Sequence, residues 1–297
     1  MELQLNTCEN EYAKDPKIKR EDIQQLSEWL QKQIHMPEVG EYMQIQFYFA
    51  SKYSLQQAKT LMDLHYTFRN EAPEFFTSTE SDQEKFKYSV WDVVYAFTVP
   101  QPTADKRRIY YTSVRDLDAR KYTFEKALSL MVRTLLTTIL EHGVCPGYEI
   151  IFDLQGFSLP HFATVTISLI RKLVYFAQDL APLIINGIHI VNGYKIFDKF
   201  MFLAERFMKK ELFEIIHIHS KPDDLFKFVP KEYIPVDVGG TSKQTRDELN
   251  DIMRAKVNAC ESAILKEYAL KTDESKRIGE KKDITSMNGT FRKLELD

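Results

Sequence analysis

The sequence predicts an α/β fold, a mixed and largely parallel sheet covered by helices, preceded by a small bundle that is entirely helical. Two observations predict the sheet layer. Continuous apolar and β-branched runs recur between about residues 86 and 240, as expected for strands buried on both faces. Helical segments separate these runs, and such alternation favours parallel pairing. Up to about residue 77, by contrast, the apolar residues recur only at helical spacing.

The N-terminal section, residues 1–77, is predicted to form three short helices, with a polar link over 74–85. Asp22 is placed to cap the first helix, which ends near Pro37. The apolar face of this helix carries Ile23, Leu26, Leu30 and Ile34. The second helix covers 41–50, and Ser54 followed by Gln57 predicts a capping-box start for the third.

The middle section, residues 86–240, supplies the predicted sheet and its covering helices. Strands are predicted at 109–111, 148–154, 184–191 and 214–219, and helices at 123–140 and 161–178. Thr123 is placed to cap the helix over 123–140, which is apolar nearly all round and is therefore expected to be buried. The last section, residues 241–297, holds a predicted helix over 242–267, a charged loop over 272–287 and a short extended end.

Residues 194–212 are predicted to form one helix with two opposed faces. At ~100° per residue, the apolar face carries Ile196, Phe197, Phe200, Met201, Leu203, Ala204, Phe207 and Met208. The opposite face carries Lys195, Lys199, Arg206, Lys209 and Lys210, with Asp198 and Glu205 at the border. Phe202 alone breaks the pattern. Any surface helix shows an apolar stripe to its core, but a basic amphipathic helix also suits an anionic membrane surface. The leading hypothesis is that this helix is a gate, whose apolar face can contact either the protein interior or a membrane.

Composition restricts the class of protein. The 297 residues carry a net charge of −3, which argues against nucleic acid as the main partner. Three widely separated cysteines form neither a disulfide framework nor a zinc spacing. Residues 1–10 lack the apolar core of a signal peptide, and the most apolar run, 180–191, is shorter than a membrane span requires. We expect a soluble, cytoplasmic protein.

Residues that carry chemistry form no motif specific enough to predict catalysis. The ten glycines match neither the P-loop nor the dinucleotide fingerprint. Cys145 and His142 lie in a Gly/Pro turn, which favours a loop over a nucleophile with its base. His217 and His219 share one side of a strand, and packing is favoured over a metal because no carboxylate neighbours them at ligand spacing. Asp153 is interpreted as an acceptor that fixes a loop. No catalytic residue, metal site or cofactor is predicted.

Thr134, Thr137 and Thr138 stand out on the otherwise apolar helix over 123–140. Threonine hydroxyls inside a helix usually bond back to the preceding turn. The alternative is that one hydroxyl supplies the single polar contact that orients a lipid head in an apolar pocket.

Five short motifs, in order and spacing, resemble the CRAL-TRIO lipid-binding domain family, and most closely its animal tocopherol-transfer and retinaldehyde-binding members. The motifs are Ile151-Phe152-Asp153-Leu154-Gln155-Gly156, Pro182-Leu183, Gly187-Ile188-His189-Ile190-Val191-Asn192, Ile216-His217-Ile218-His219 and Pro235-Val236-Asp237-Val238-Gly239-Gly240. The helical section before them resembles the family's N-terminal bundle, and residues 289–294 resemble the end of several animal members.

The resemblance implies a deep apolar cavity floored by the sheet, with 194–212 as its mobile gate. It also implies a non-enzymatic intracellular carrier that moves one small hydrophobic lipid, such as a tocopherol or retinoid, between membranes. Positions matching the family's pocket walls are Thr134, Phe152, Leu173, Phe176, Leu180, Leu183, Ile185, Ile188, Phe207 and Met208. Thr138, Phe197, Phe200, Met201 and Ala204 complete the predicted ligand site. The predicted residues for transient docking on anionic membranes are Lys195, Lys199, Arg206, Lys209 and Lys210.

The chain departs from family members that recognise phosphoinositides. Those members carry basic residues where this chain has Ile184, Asn186, Glu211 and Ile215, which argues against a specific headgroup site. The alternative function is a lipid-sensing signalling or trafficking adaptor, which binds phosphoinositide membranes without net transfer.

Overall fold

The computed structural model describes residues 3–77 and 89–279 of the chain. Four helices form the N-terminal part: α1 (Cys8–Lys14), α2 (Arg20–Gln31), α3 (Glu41–Ala50) and α4 (Leu55–Glu71). The predicted cap of α4 is confirmed, because the Ser54 side chain accepts a hydrogen bond from the Gln57 N–H. Helix α1 was not predicted, since seven residues are too few to establish a helical period.

Two details of the predicted first helix are wrong. Helix α2 begins at Arg20, so Asp22 lies inside its first turn rather than at its cap. The Asp22 carboxylate instead accepts a hydrogen bond from the Tyr48 hydroxyl at 2.6 Å, which joins α2 to α3. Ile34 lies beyond the end of the helix and is 60% exposed.

The sheet is mixed and mostly parallel, as predicted. Its strands are β1 (Val94–Thr98), β2 (Arg108–Val114), β3 (Tyr148–Asp153), β4 (Ile185–Val191) and β5 (Ile216–Ile218). They lie in the order of the chain, and only β1 and β2 pair in antiparallel fashion. A short helix, α5 (Val90–Val93), leads into β1, and neither element was predicted.

Of the two helices predicted between the strands, one is continuous and the other is divided. Helix α6 (Phe124–His142) is continuous and buried along most of its length, as predicted. The single helix predicted over 161–178 is wrong, because it is divided into α7 (Leu159–Phe162) and α8 (Ile167–Tyr175). The Thr166 hydroxyl accepts from the Leu169 N–H and so starts a new helix there. Helix α8 continues into a π-type turn at Phe176–Leu180.

The predicted single helix over 194–212 is also wrong. Helix α9 (Tyr194–Ala204) passes into a 3-10 turn at Glu205–Phe207, and α10 (Lys210–Glu214) follows. The backbone is extended at Met208, between the two helices. Gln178 provides the physical reason, because its side chain donates to the Phe207 carbonyl at 3.3 Å and accepts from the Lys209 N–H at 3.0 Å. One amide thus satisfies two backbone groups that a continuous helix would have bonded internally.

The C-terminal helix α11 (Arg246–Ala269) begins at a capping box made by Thr245 and Glu248, and it packs against β1 and α6. The chain then returns to α4, where the Arg277 guanidinium donates two hydrogen bonds to the Asp63 carboxylate. One buried hydrophobic cluster runs through the helical bundle, the sheet and α11. Residues 280–297, including the predicted extended end, lie outside the described residues.

Candidate functional site: an apolar cavity and its cover

One face of the parallel strands borders a cavity. Ile150 and Phe152 of β3, Ile188 and Ile190 of β4, and Ile216 of β5 all line it. These residues alternate along each strand and are in register between strands, so their side chains leave the sheet on the same side. Helices α6, α8, α9 and α10 close the other sides of the cavity.

The cavity is large and its walls carry only apolar side chains. The cavity volume is about 140 Å³, roughly ten times the space that one buried water needs. All 23 lining residues are Phe, Met, Leu, Ile, Val or Ala. A space of this size without hydrogen-bonding groups suits an apolar molecule, because water there would lose its partners.

Nine of the fifteen predicted ligand residues line the cavity. These are Phe152, Leu173, Phe176, Leu183, Ile185, Ile188, Phe197, Phe200 and Met208. The rest of the lining comes from Phe124, Met131, Leu135, Ile150, Leu154, Phe157, Phe162, Val165, Val174, Ala177, Ala181, Ile190, Leu212 and Ile216. Side chains two residues apart on a strand lie on the same face, so the predictions of Phe152 and Ile188 could have been extended to Ile150 and Ile190 from the sequence.

The six other predicted ligand residues do not line this cavity. The Thr138 hydroxyl donates to the Thr134 carbonyl at 2.9 Å and lies 2.8 Å from the Thr98 hydroxyl of β1. The Thr138 side chain is therefore directed at β1 rather than at the cavity, and the Thr134 hydroxyl is buried without a hydrogen-bond partner among the described residues. Leu180 lies in the main hydrophobic cluster. Ala204 and Phe207 pack in a smaller cluster beside the cavity, and Met201 is half-buried.

The cover of the cavity, which we define as residues 194–214, packs in a cluster separate from the main core. Ala204 and Leu212 of the cover meet Ile170 and Val174 of α8 in this cluster. The Phe197 and Phe200 rings stack with centroids 5.4 Å apart, and both line the cavity. The cover thus forms one wall of the cavity without being part of the main core.

Polar contacts fasten the middle of the cover to the π-type turn. Besides the two Gln178 hydrogen bonds, the Lys209 ammonium lies 2.5 Å from the Asp179 carboxylate. Lys209, predicted as a docking residue, is therefore engaged with a neighbouring element. Lys210 pairs within its own helix with Glu214 at 3.5 Å.

The outer surface of the cover mixes charge with exposed aromatic residues. Phe202 and Phe213 are 66% and 53% exposed, which is unusual for side chains of this size. Lys199, Arg206, Lys209 and Lys210 are exposed, but so are Asp198, Glu205, Glu211 and Glu214. The described part of the cover therefore has no net charge. The Lys195 side chain lies outside the described residues.

The opposite face of the same strands is polar and tightly bonded. Arg107 bonds to Glu149, Glu149 Oε2 lies 2.9 Å from His189 Nε2, and His189 Nδ1 lies 3.0 Å from His219 Nε2. Gly187 leaves room for this chain of contacts, since a Cβ atom there would lie 2.3 Å from Glu149 Oε2.

Burial lowers the pKa values of His217 and His219 on this face. His217 stacks on His189 with ring centroids 5.2 Å apart and packs against Phe228 at 4.4 Å. Burial, followed by the neighbouring His189, lowers the pKa of His217, and the same causes lower the pKa of His219 to about 4. The prediction of packing or hydrogen bonding is confirmed, because His217 packs on His189 and Phe228 and His219 is hydrogen-bonded to His189. In residues 3–77 and 89–279, no three His, Cys, Asp or Glu side chains form a group that could hold a metal ion.

Asp153 fixes a loop, as predicted. Its carboxylate accepts hydrogen bonds from the Asn192 side chain, the Gln155 N–H and the Tyr111 hydroxyl at 2.9, 2.9 and 2.7 Å. Burial raises the pKa of the Cys145 thiol above its usual value, which disfavours the thiolate that a nucleophile requires.

Among the described helices, none combines the length and the apolar character needed to cross a membrane.

Comparison with known proteins finds two matching family models, curated relatives and a solved structure. The family model of the CRAL/TRIO domain matches residues 93–240, and that of a Pinta-like UBA domain matches residues 15–86. Proteins named alpha-tocopherol transfer protein-like from Homo sapiens, Pongo abelii and Mus musculus are each 23% identical over 245 residues, covering 80% of this chain and 70% of the relative. The solved structure of Sfh5 aligns at 10% identity and a TM-score of 0.44, covering 82% of this chain and 90% of that one.

The range matched by the CRAL/TRIO model contains all five described strands, the cover and every lining residue of the cavity. CRAL/TRIO domains bind small lipophilic molecules. Residues 93–240 of this chain are a CRAL/TRIO domain, a member of that lipid-binding family.

Proposed function

We propose that this protein is a non-enzymatic carrier that encloses one small hydrophobic lipid in the cavity and transfers it between membranes. The observation that carries the proposal is the cavity itself, whose 23 lining side chains are all apolar. The relatives named for tocopherol transfer support the same class of ligand. The nine predicted residues that line the cavity, with Phe200 at the cover, are the proposed ligand contacts.

The free energy of binding comes from removing ligand surface from water. Each 100 Å² of apolar ligand surface buried is worth about 2.5 kcal/mol. This gain is kept only where the pocket is already formed and needs little reorganisation. The sheet floor meets that condition, because the polar network on its other face fixes the strands that supply Ile150, Ile188 and Ile216.

Entry and exit are proposed to occur by movement of the cover. Its packing with α8 is separate from the main core, so the cover can move without disrupting the sheet. Opening would expose Phe197 and Phe200, which is costly in water but not against a bilayer. Contact with a membrane therefore lowers the cost of opening where the ligand is delivered.

Docking is proposed to depend on the exposed aromatic residues of the cover. Phe202 and Phe213 present apolar rings of the kind that insert at a membrane interface. Lys199, Arg206 and Lys210 add attraction to anionic lipid, at most about 1 kcal/mol each. The neighbouring carboxylates offset much of it.

Transfer of an NBD-labelled tocopherol between donor and acceptor vesicles tests the proposal. The double variant Phe202→Ser, Phe213→Ser is expected to transfer the probe at least about tenfold more slowly, since burying even one phenylalanine side chain is worth about 1.5 kcal/mol or more. Binding of the probe in solution should stay unchanged, because neither residue lines the cavity. Leu117→Ser is the matched control, because Leu117 is 67% exposed and lies outside the cover.

A second variant tests the cavity directly. Phe200→Asp places a carboxylate among apolar walls, and we expect the protein to lose the probe in solution as well as in transfer. Unchanged retention by Phe200→Asp would contradict the proposed site. Tight binding without net transfer by the unaltered protein would instead favour the lipid-sensing adaptor.

A further inference from the structure

A second, smaller cavity lies between the helical bundle and the sheet domain. Its volume is about 30 Å³, enough for a small polar group or about two waters. Its walls include Arg69 and His65 of α4, Phe76, and Tyr268 near the end of α11. Unlike the large cavity, it therefore has polar side chains in its lining.

The two cavities are neighbours that share a wall. Leu135, Phe176 and Leu183 line both of them. Phe176 begins the π-type turn at Phe176–Leu180, and turns of this kind are frequent at functional sites. A ligand in the large cavity thus lies one side-chain layer from the polar groups of the small one.

Two polar atoms at the small cavity are buried without a hydrogen-bond partner among the described residues. They are Nε of Arg69 and the hydroxyl oxygen of Tyr268. The two residues are only 5% and 9% exposed. Buried polar atoms normally have hydrogen-bond partners. Two such atoms without a partner at the same cavity indicate that a bound molecule supplies the missing hydrogen bonds.

The charge at the small cavity is already balanced. The remaining Arg69 nitrogens donate to the Glu267 carboxylate and to the carbonyls of Glu267 and Leu270. His65 donates from Nδ1 to the Leu180 carbonyl at 2.7 Å, and its Nε2 accepts from Arg69. Burial and the Arg69 charge hold the pKa of His65 well below its usual value. The open groups are therefore an N–H donor and a neutral hydroxyl, which fit an uncharged oxygen better than a carboxylate.

We propose that the small cavity is a polar subsite of the ligand pocket, which receives the terminal hydroxyl or carbonyl oxygen of an otherwise apolar ligand through Arg69 Nε–H and the Tyr268 hydroxyl. The apolar body of the ligand lies in the large cavity, and the shared wall of Leu135, Phe176 and Leu183 moves aside to connect the two. This inference rests on the proposed carrier function, and it adds the chemical class of the ligand.

Displacement of diphenylhexatriene, a fluorescent hydrocarbon, by dodecan-1-ol and by dodecane tests the subsite. The measured quantity is the ratio of the two affinities, because it isolates the contribution of one oxygen. In Tyr268→Phe the alcohol-to-alkane ratio is expected to fall three- to tenfold, the usual worth of one buried hydrogen bond. The affinity for dodecane itself should not change.

Tyr110→Phe is the matched control. The Tyr110 hydroxyl is also buried without a partner among the described residues, but Tyr110 lines neither cavity. The ratio of alcohol to alkane affinity in Tyr110→Phe should equal that of the unaltered protein. A ratio unchanged in Tyr268→Phe, with dodecane still bound, would overturn the subsite and leave the carrier function standing. Failure of the unaltered protein to bind diphenylhexatriene or dodecane would overturn both.

Discussion

The two faces of β3, β4 and β5 differ in almost every physical respect. On one face, Ile150, Ile188 and Ile216 line a cavity whose lining residues are all apolar. On the other, Glu149 and His189 are buried in continuous hydrogen bonds. These side chains alternate along the same strands, so a shift in strand register by one residue would exchange the faces.

The difference shows how a sheet can border a cavity and stay ordered. Side chains at a cavity lack packing partners on one side and lose the corresponding dispersion contacts. The polar face compensates, because its hydrogen bonds link Arg107 before β2 to β3, β4 and the segment after β5. Order in the cavity-lining face therefore derives from the polar face on the other side of the strands.

Truncating neighbouring isoleucines of β3 gives the largest expected effect. Ile151→Ala should lower the free energy of unfolding by about 4 kcal/mol, because Ile151 is fully buried and a new cavity would form. Ile150→Ala should cost about 2 kcal/mol, since Ile150 already borders a cavity. Urea unfolding of the ligand-free protein measures both. Equal losses would contradict the contrast between the faces.

Removing the central carboxylate of the polar face is expected to have the next largest effect. Glu149→Ala leaves His189 and Arg107 without their shared partner and should cost about 2 kcal/mol, below the usual range for buried pairs because Arg107 is partly exposed. Glu149→Gln retains a hydrogen-bonding group and should cost less. If the two variants unfold alike, the hydrogen bonds that glutamine retains contribute nothing, and the loss comes from the charge of Glu149.

The polar face should also make stability depend on pH, by a smaller amount. The pKa of His219 is lowered to about 4 in the folded protein by burial and by His189 and His217, while Asp224 opposes and Lys227 adds to the shift. The unfolded chain therefore binds this proton at higher pH than the folded chain does. The contribution is fully present above about pH 6.5 and is lost as pH falls towards 4.

Urea midpoints measured across this pH range test that dependence. The midpoint of the unaltered protein should fall as the solution is acidified, and His219→Gln should fall less steeply. His142, whose pKa burial also lowers to about 4, contributes to both proteins equally and cancels in the difference. Parallel pH profiles would show that His219 is not involved.

Charge reversal on the cover is expected to have the smallest effect. Lys199→Glu with Lys210→Glu should slow transfer to anionic vesicles by only a few fold, because the neighbouring carboxylates offset much of the attraction, at most about 1 kcal/mol, that each cation adds at the membrane. Transfer between neutral vesicles serves as the internal control and should not change. A larger effect than that of Phe202→Ser with Phe213→Ser would make charge, rather than aromatic contact, the main docking force.

The sequence predicted the layer of helices and most strands, because their periodicity is local. The break between α9 and α10 could not be predicted, since the Gln178 side chain that stabilises it lies about thirty residues away in the chain. The polar network escaped prediction for the same reason. Its members Arg107, Glu149 and His189 come from three separate elements.

The candidate site was predictable where its residues follow a period and not elsewhere. Phe152 and Ile188 follow the strand alternation and line the cavity. Thr134 and Thr138 interrupt an apolar helix, but the helical period alone does not say which neighbour that side of the helix meets. The contact between the hydroxyls of Thr138 and Thr98 of β1 shows the orientation of Thr138, and it exists only in the folded structure.

Native mass spectrometry of the full chain, after incubation with lipid vesicles and removal of the vesicles, tests the central claim most directly. We expect one lipid per chain on the unaltered protein and none on Phe200→Asp. A bare chain in both samples, or equal lipid loading of the two, would contradict a ligand held in this cavity.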